Sequence, residues 1–274
     1  MRMLICSIGS KQCKTTLRFG AEVAKALSAD TTLLGIVKEG YEGKQLQETL
    51  NKVAEGLAEL GLPVEVRFEP GDAEEIVMTE LEQNTYDLVG VGALVNQRSR
   101  HALLDSVGTR IIERAAGSVL VVKGERRTLS RVLICSSGTE HSRVPVRIGA
   151  AVARGAGAQV TLLHVMDPMP IMYTGLERME ETLDEFLQTD TLQARELKWA
   201  ARAVKAECET VELELRQGIV TEEILRESEV GDYDLIVLGS ARSAGGLARV
   251  LLGDLSHAVI GRAQRPVLVA RPMD

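Results

Sequence analysis

Two stretches in the second part of the chain collect residues suited to hold a small polar or anionic ligand. One starts at Gly239-Ser240, continues through Arg242, Ser243, Gly245, Gly246 and Arg249, and ends at Gly253-Asp254. Glycines let a backbone approach a phosphate closely, and a helix N-terminus after such a loop offers free N–H groups. Arg242 and Arg249 add positive charge. The other stretch, Ser136-Ser137-Gly138-Thr139-Glu140-His141-Ser142, is rich in hydroxyls. Thr139, Glu140 and His141 are types that do acid–base work, but adjacent positions on an opening helix point different ways. They read as a helix cap with surface charge, and no catalytic residue is assigned. Four cysteines form no CxxC pair, and His101, His141, His164 and His257 lack metal-ligand spacing, so no structural metal is expected.

The elements that must position these residues come in two sets. Leu4-Ile5-Cys6-Ser7 recurs as Leu133-Ile134-Cys135-Ser136, and Thr32-Leu33-Leu34 as Thr161-Leu162-Leu163, both 129 residues on. Tyr86-Asp87-Leu88 recurs as Tyr233-Asp234-Leu235 at 147, and Val119-Leu120-Val121 as Val267-Leu268-Val269 at 148. The chain is a tandem duplication, with copies over 1–127 and 128–274. The second copy carries 18–19 extra residues, the growth of the offset from 129 to 147–148.

Apolar, β-branched runs predict five strands per copy. They lie at Leu4–Ile8, Thr32–Val37, Val64–Phe68, Leu88–Val91 and Val119–Val122, then at Val132–Cys135, Val160–Val165, Val211–Leu215, Leu235–Leu238 and Val267–Ala270. Runs of this kind suit parallel strands covered on both faces. Helix-period segments lie between them. Phe19, Val23, Ala26 and Leu27 share one face, as do Ile76, Val77, Glu80 and Leu81, with polar Glu80 expected at the stripe's edge. Ser142 is expected to cap a helix whose first turn tolerates Pro145. The alternation gives two doubly wound α/β domains.

The extra residues form a helical insertion at about 168–190. Met172, Leu176, Met179, Leu183, Phe186 and Leu187 fall at helical spacing. Residues 166–195 hold seven acidic and two basic side chains, so most of the net charge of −7 sits there. We read this helix as a cover for the domain or a dimer seam with a solvated acidic face; a docking surface is the alternative.

Composition excludes several classes. Three Phe, four Tyr and one Trp give few rings for stacking bases, and an acidic chain lacks a phosphate-tracking surface, so no nucleic-acid partner is expected. No apolar run approaches the ~18–20 residues of a membrane span, so no membrane partner is expected either. Unpaired cysteines fit a cytoplasmic location.

The sequence resembles the universal stress protein family in tandem form. The resemblance rests on the stretch from Val132 to Ser142, the strand ending His164-Val165-Met166-Asp167-Pro168, Tyr233-Asp234-Leu235-Ile236-Val237-Leu238-Gly239-Ser240, the run Gly245–Gly253, and Arg265-Pro266-Val267-Leu268-Val269. Each is echoed in the first copy. It implies an adenine-nucleotide α-hydrolase-like fold, with a five-stranded parallel sheet in the order 3-2-1-4-5 in each domain. It also implies pairing of the two last strands, giving self-association or a pseudo-dimer within one chain.

Ligands of open parallel sheets bind beyond the carboxyl ends of the strands, where the strand order switches. From the loops after the first and fourth strands the expected ligand contacts are Ser136, Ser137, Gly138, Thr139, Gly239, Ser240, Arg242, Gly253 and Asp254; the resemblance implies Val165, at the end of the second strand, as a further contact and ATP as the ligand. The sequence departs from the family's glycine pattern. Gly239 and Gly253 are 14 apart rather than 13, Arg242 or Ser243 replaces the middle glycine, and Asp254 replaces the final hydroxyl. The family's strand-1 Asp is Ser137 here. In the first copy, Val95 and Asp105 replace two of the glycines, and Ile8 stands at the acidic position. The leading expectation is a non-enzymatic stress-response or regulatory protein that binds ATP or another small ligand in its second domain. Two alternatives are a pure protein-interaction module and an adenine-nucleotide-processing enzyme of the related α-hydrolase-like group. The enzyme reading is disfavoured because the loop after the first strand of the second copy lacks the double glycine and Asp of that group.

Overall fold

Ser118–Val122 (β5) and Val267–Ala270 (β10) are buried at every residue, which leaves no room for polar alternation. They meet antiparallel in the middle of one ten-stranded sheet, with Val119 opposite Val269, Leu120 opposite Leu268 and Val121 opposite Val267. The computed structural model describes residues 1–8, 13–37, 43–93, 107–126, 128–166, 182–240 and 254–272.

The first half runs β1 (Arg2–Ile8), α1 (Cys13–Ala26), β2 (Asp30–Val37), α2 (Gly43–Glu59), β3 (Val64–Pro70), α3 (Ala73–Gln83), β4 (Leu88–Gly92), α4 (Val107–Arg114) and β5. The second half runs β6 (Arg131–Ser136), α5 (Arg143–Ala156), β7 (Gln159–Met166), α6 (Leu183–Gln188), α7 (Leu192–Lys205), β8 (Val211–Gln217), α8 (Val220–Val230), β9 (Leu235–Gly239), α9 (Asp254–Arg262) and β10. The sheet order is β3-β2-β1-β4-β5-β10-β9-β6-β7-β8. Each half therefore has the expected order 3-2-1-4-5, with every internal pairing parallel.

Successive side chains of a strand face opposite ways. Met3 and Ile5 join a layer under α1, α2, α5 and α7, and Leu4 and Cys6 join one under α3, α4, α8 and α9. Both layers run through both halves, so the two copies share their cores. On the first layer α1 packs against α5. A Cβ at Gly155 would stand 1.8 Å from the Ala26 carbonyl oxygen, so only glycine allows that approach.

Three expectations need correction. The strands β3 and β8 are not covered on both faces: they are the sheet's two outer edges, and most of their residues are partly or fully exposed. Val211-Glu212-Leu213-Glu214-Leu215 in fact alternates, as a half-exposed strand should. Glu80 is not at a stripe's edge. It is buried and accepts hydrogen bonds from Arg67 (2.8 Å), the Tyr86 hydroxyl (2.5 Å) and Asn84 (3.0 Å). Its partners offset the cost of burying a carboxylate. The second half repeats the arrangement with Arg216 and Tyr233 on buried Glu227. Ser142 stands at the N-cap position of α5 without capping it, because its hydroxyl turns to Ser137 instead.

Of the insertion, residues 167–181 lie outside the described residues. The remainder is not one continuous helix: α6 ends before Thr189, and Thr191 caps α7 afresh. Phe186 is buried, and Leu183 and Leu187 pack beside it on the core.

Candidate functional site

A cleft of about 430 Å³ opens beyond the carboxyl ends of β6 and β9, at the switch point of the second half. That size falls within the ~300–1,000 Å³ of small-molecule sites. The strand ends supply Ser136, Leu163, Val165, Leu238 and Gly239; α8 supplies Val220 and Ile224; α9 supplies Leu255 and Ser256. The loop after β6 supplies Ser137, Thr139, His141 and Ser142.

Local chemistry holds that loop in place. Ser137 donates its N–H to the Ser142 hydroxyl (2.8 Å), and the Ser137 hydroxyl lies 2.8 Å from those of both Thr139 and Ser142. Gly138 donates its N–H to the Ser136 hydroxyl at 3.2 Å. His164 Nδ1 donates to the Ser136 carbonyl at 2.8 Å, and the His164 ring lies 5.5 Å from that of Phe186. The insertion thus touches the cleft loop through one histidine.

Six of the expected contacts line the cleft together: Ser136, Ser137, Thr139, Val165, Gly239 and Ser240. Gly138 does not. It is buried at φ +67°, and a Cβ there would meet His164 at 2.9 Å and Gln193 at 3.0 Å. Its role here is packing of the loop onto β7 and α7. Asp254 is the exposed first residue of α9 and stands outside the lining; it is not the residue before the helix. Arg242 and Gly253, with the rest of 241–253, lie outside the described residues, as does the first-copy loop from 94 to 106.

Val220 and Ile224 were missed by the sequence reading, because a helix wall over a cleft looks like any other apolar stripe.

Ser240 holds its backbone against Ala270, donating its N–H to that carbonyl at 3.1 Å. Its hydroxyl is buried without a hydrogen-bond partner among the described residues, in a side chain only 9% exposed. Ser256 donates to the Gly239 carbonyl at 3.3 Å and ties α9 to the end of β9. Among the described lining residues there is no Asp, Glu, Lys or Arg. Burial, and then the Glu227 carboxylate, push the Cys135 thiol up, so it stays protonated. The site can bind through neutral hydrogen bonds and apolar contact. Among the described residues no group of three or more His, Cys, Asp or Glu could hold a metal, and no helix is long and apolar enough to cross a membrane.

Comparison with known proteins agrees with this architecture. A universal stress protein of Methanocaldococcus jannaschii is 26% identical over 151 residues, covering 55% of this chain and 87% of the relative. One of Thermus aquaticus is 30% identical over 140 residues, covering 51% of this chain and 97% of the relative. The crystal structure of a universal stress protein from Archaeoglobus fulgidus superposes with a TM-score of 0.67 at 19% identity, over 100% of this chain and 97% of that one. Likeness at that identity speaks for the fold. The model of the universal stress protein family matches twice, over residues 1–123 and 128–271, and the chain belongs to that family as a tandem member.

Proposed function

We propose that this is a non-enzymatic, cytoplasmic stress-response or regulatory protein that takes an adenosine-bearing small ligand in the second-half cleft. One observation carries the reading: the cleft at the switch point is lined by a buried Ser240 hydroxyl that has no hydrogen-bond partner among the described residues. A buried, unsatisfied hydroxyl costs about 1–3 kcal/mol, and a ligand that bonds to it recovers that cost. The absence of catalysis is supported by the hydroxyls of Ser137, Thr139 and Ser142, which bond to one another and to backbone. The free thiols of Cys6, Cys13, Cys135 and Cys208 fit a reducing compartment.

Thermal melting of the full chain with ATP and Mg²⁺, and separately with adenosine, tests this reading. A ligand that binds only the folded state raises stability by about 2.7 kcal/mol at one hundred times its Kd. A concentration-dependent rise with at least one of the two is expected, without turnover. No rise at millimolar concentrations of either removes the proposal.

A further inference from the structure

We infer that the solvent face of α1 and α5 binds the phosphates of double-stranded nucleic acid, without reading its sequence. A repeat of charge carries the inference. Lys14, Arg18 and Lys25 on α1 recur as Arg143, Arg147 and Arg154 on α5, each 129 residues on, and all six are exposed. An α-helix turns about 100° per residue, so the three cations of each helix fall within about 40° of one another. They spread over about 16–17 Å of its length. Thr16, Gly20 and Val23 are buried on the opposite side of α1, as their counterparts Pro145, Gly149 and Val152 are on α5. Both stripes therefore point away from the sheet. The two helices hold one acid, Glu22, which stands at the edge of its stripe about 80° from Lys14. The net charge of −7 is an average over the whole chain and conceals this face.

Symmetry and surface chemistry choose among polyanions. The close approach of α1 to α5 is between Ala26 and Gly155, themselves 129 residues apart, and β5 pairs with β10 at Leu120 and Leu268, 148 apart. Contacts between equivalent residues mark an approximate two-fold axis, and that axis relates the two basic stripes. A duplex has two-fold axes between its antiparallel strands, so each stripe can serve one strand, as in symmetric DNA-binding dimers. A membrane-surface helix adds large apolar side chains to its basic ones. Neither α1 nor α5 exposes any. The cations are also available. Lys14, Arg18, Lys25 and Arg147 form no ion pair among the described residues. Arg143 and Arg154 pair with Glu196 and Glu207, each at 2.7 Å, in partly exposed positions. Such pairs contribute little, so a phosphate can take the carboxylate's place.

Fluorescence anisotropy of a labelled DNA duplex of mixed sequence, titrated with the full chain, tests the assignment. About four to six phosphate contacts imply that affinity falls roughly 150- to 2,000-fold between about 50 and 200 mM salt. Arg18→Gln combined with Arg147→Gln removes two contacts and is expected to reduce that fall by about tenfold. Arg226→Gln makes the same charge change on exposed α8, across the sheet, and is expected to leave it unchanged. Trp199 is the chain's single tryptophan, and Arg143 and Arg147 lie over its ring at 5.1 and 6.0 Å. Its emission is expected to change as the duplex draws those arginines away, and unchanged emission on binding overturns the placement over α5. No binding of the duplex at about 50 mM salt, or a salt dependence unchanged in the double variant, overturns the inference. A single strand of the same length bound as tightly overturns the match to a duplex. Vesicles of phosphatidylserine and phosphatidylcholine bound in preference to DNA make the partner a lipid surface and overturn it too. The ligand reading of the cleft stands or falls separately, since neither helix stripe belongs to its lining.

Discussion

Lys123 and Arg271, 148 residues apart in a chain that repeats at that offset, make the same contact in opposite directions across the joint between the halves. Lys123 follows β5 and donates to the carbonyls of Ile260 and Ala263 at the end of α9. Arg271 follows β10 and donates to the carbonyls of Ile112 (2.6 Å) and Ala115 at the end of α4. Both side chains are buried. A helix C-terminus leaves carbonyls unpaired and carries partial negative charge, so a cation there meets both needs. Each half completes a helix of the other.

Burial lowers the Lys123 ammonium from its ordinary 10.5 to about 8. Between those values the unfolded chain holds a proton that the folded chain has lost, so stability must rise with pH there. The rise is at most about 1.4 kcal/mol per pH unit. Tyr86 and Tyr233 are raised to about 12, mainly by burial, and take stability away above their ordinary 10. The thiols of Cys6, Cys13, Cys135 and Cys208 are raised by burial too and take stability away above their ordinary 9, so only the difference between wild type and Lys123→Met isolates the lysine. Urea unfolding at pH 8, 9 and 10 should show wild type gaining on Lys123→Met; parallel curves would refute a lowered lysine.

Gly155→Ala should destabilise the joint. Its Cβ would fall on the Ala26 carbonyl, backbone that cannot swing aside. Overpacking of this kind costs roughly 1–3 kcal/mol. Chemical denaturation measures it, and wild-type stability would mean α1 and α5 do not pack this closely in solution.

Tyr233→Phe removes a donor, at 3.1 Å, from buried Glu227, and Tyr86→Phe does the same to Glu80. Each should cost about 1–3 kcal/mol, since a buried carboxylate oxygen is left short of a partner. Matched losses at the two sites would show the repeated network at work, and negligible losses at both would remove it from the list of stabilising contacts.

Phe186→Ala should lower stability by about 3 kcal/mol, the scale for emptying a buried ring. It should also weaken ligand binding, because His164 would lose the ring beside it while it holds the Ser136 carbonyl. Stability loss with unchanged affinity would confine Phe186 to the core.

Asp254→Asn should strengthen ATP binding and leave adenosine unchanged. A single charge at a helix end is worth about 0.3–1 kcal/mol, or roughly two- to fivefold in Kd. Calorimetry with both probes reads it; no change for ATP would show that the carboxylate does not face the ligand.

The duplication, the strands and their order were legible in the sequence. Strands buried on both faces, such as Val119–Val122, must be apolar at every position, and their residue types show it. Edge strands were legible less well, since Glu212 and Glu214 mark an exposed face that short apolar runs conceal. Glu80 was misplaced because hydropathy periodicity counts apolar faces and knows nothing of Arg67 and Tyr86. Ser142 was misread for a similar reason: a residue type suited to capping does not say which donor its hydroxyl meets. The β6 loop and the Gly239-Ser240 step were legible as cleft residues because the fold class alone predicts where its crevice lies, and Val165 through the family resemblance. The wall from α8 was not.

The sequence by itself determined what local pattern and internal repetition encode: two copies, ten strands, and the family to which they belong. Only the tertiary structure decided how those copies depend on each other and what their cleft presents. Lys123 reaches a carbonyl 137 residues away and Arg271 one 159 away, distances over which a linear pattern carries no information. The lining of the cleft has the same cause: the fold alone decides that Val220 and Ile224 of α8 and Leu255 and Ser256 of α9 line the same cleft as the end of β6, and that Ser142 spends its hydroxyl on Ser137 rather than on its own helix.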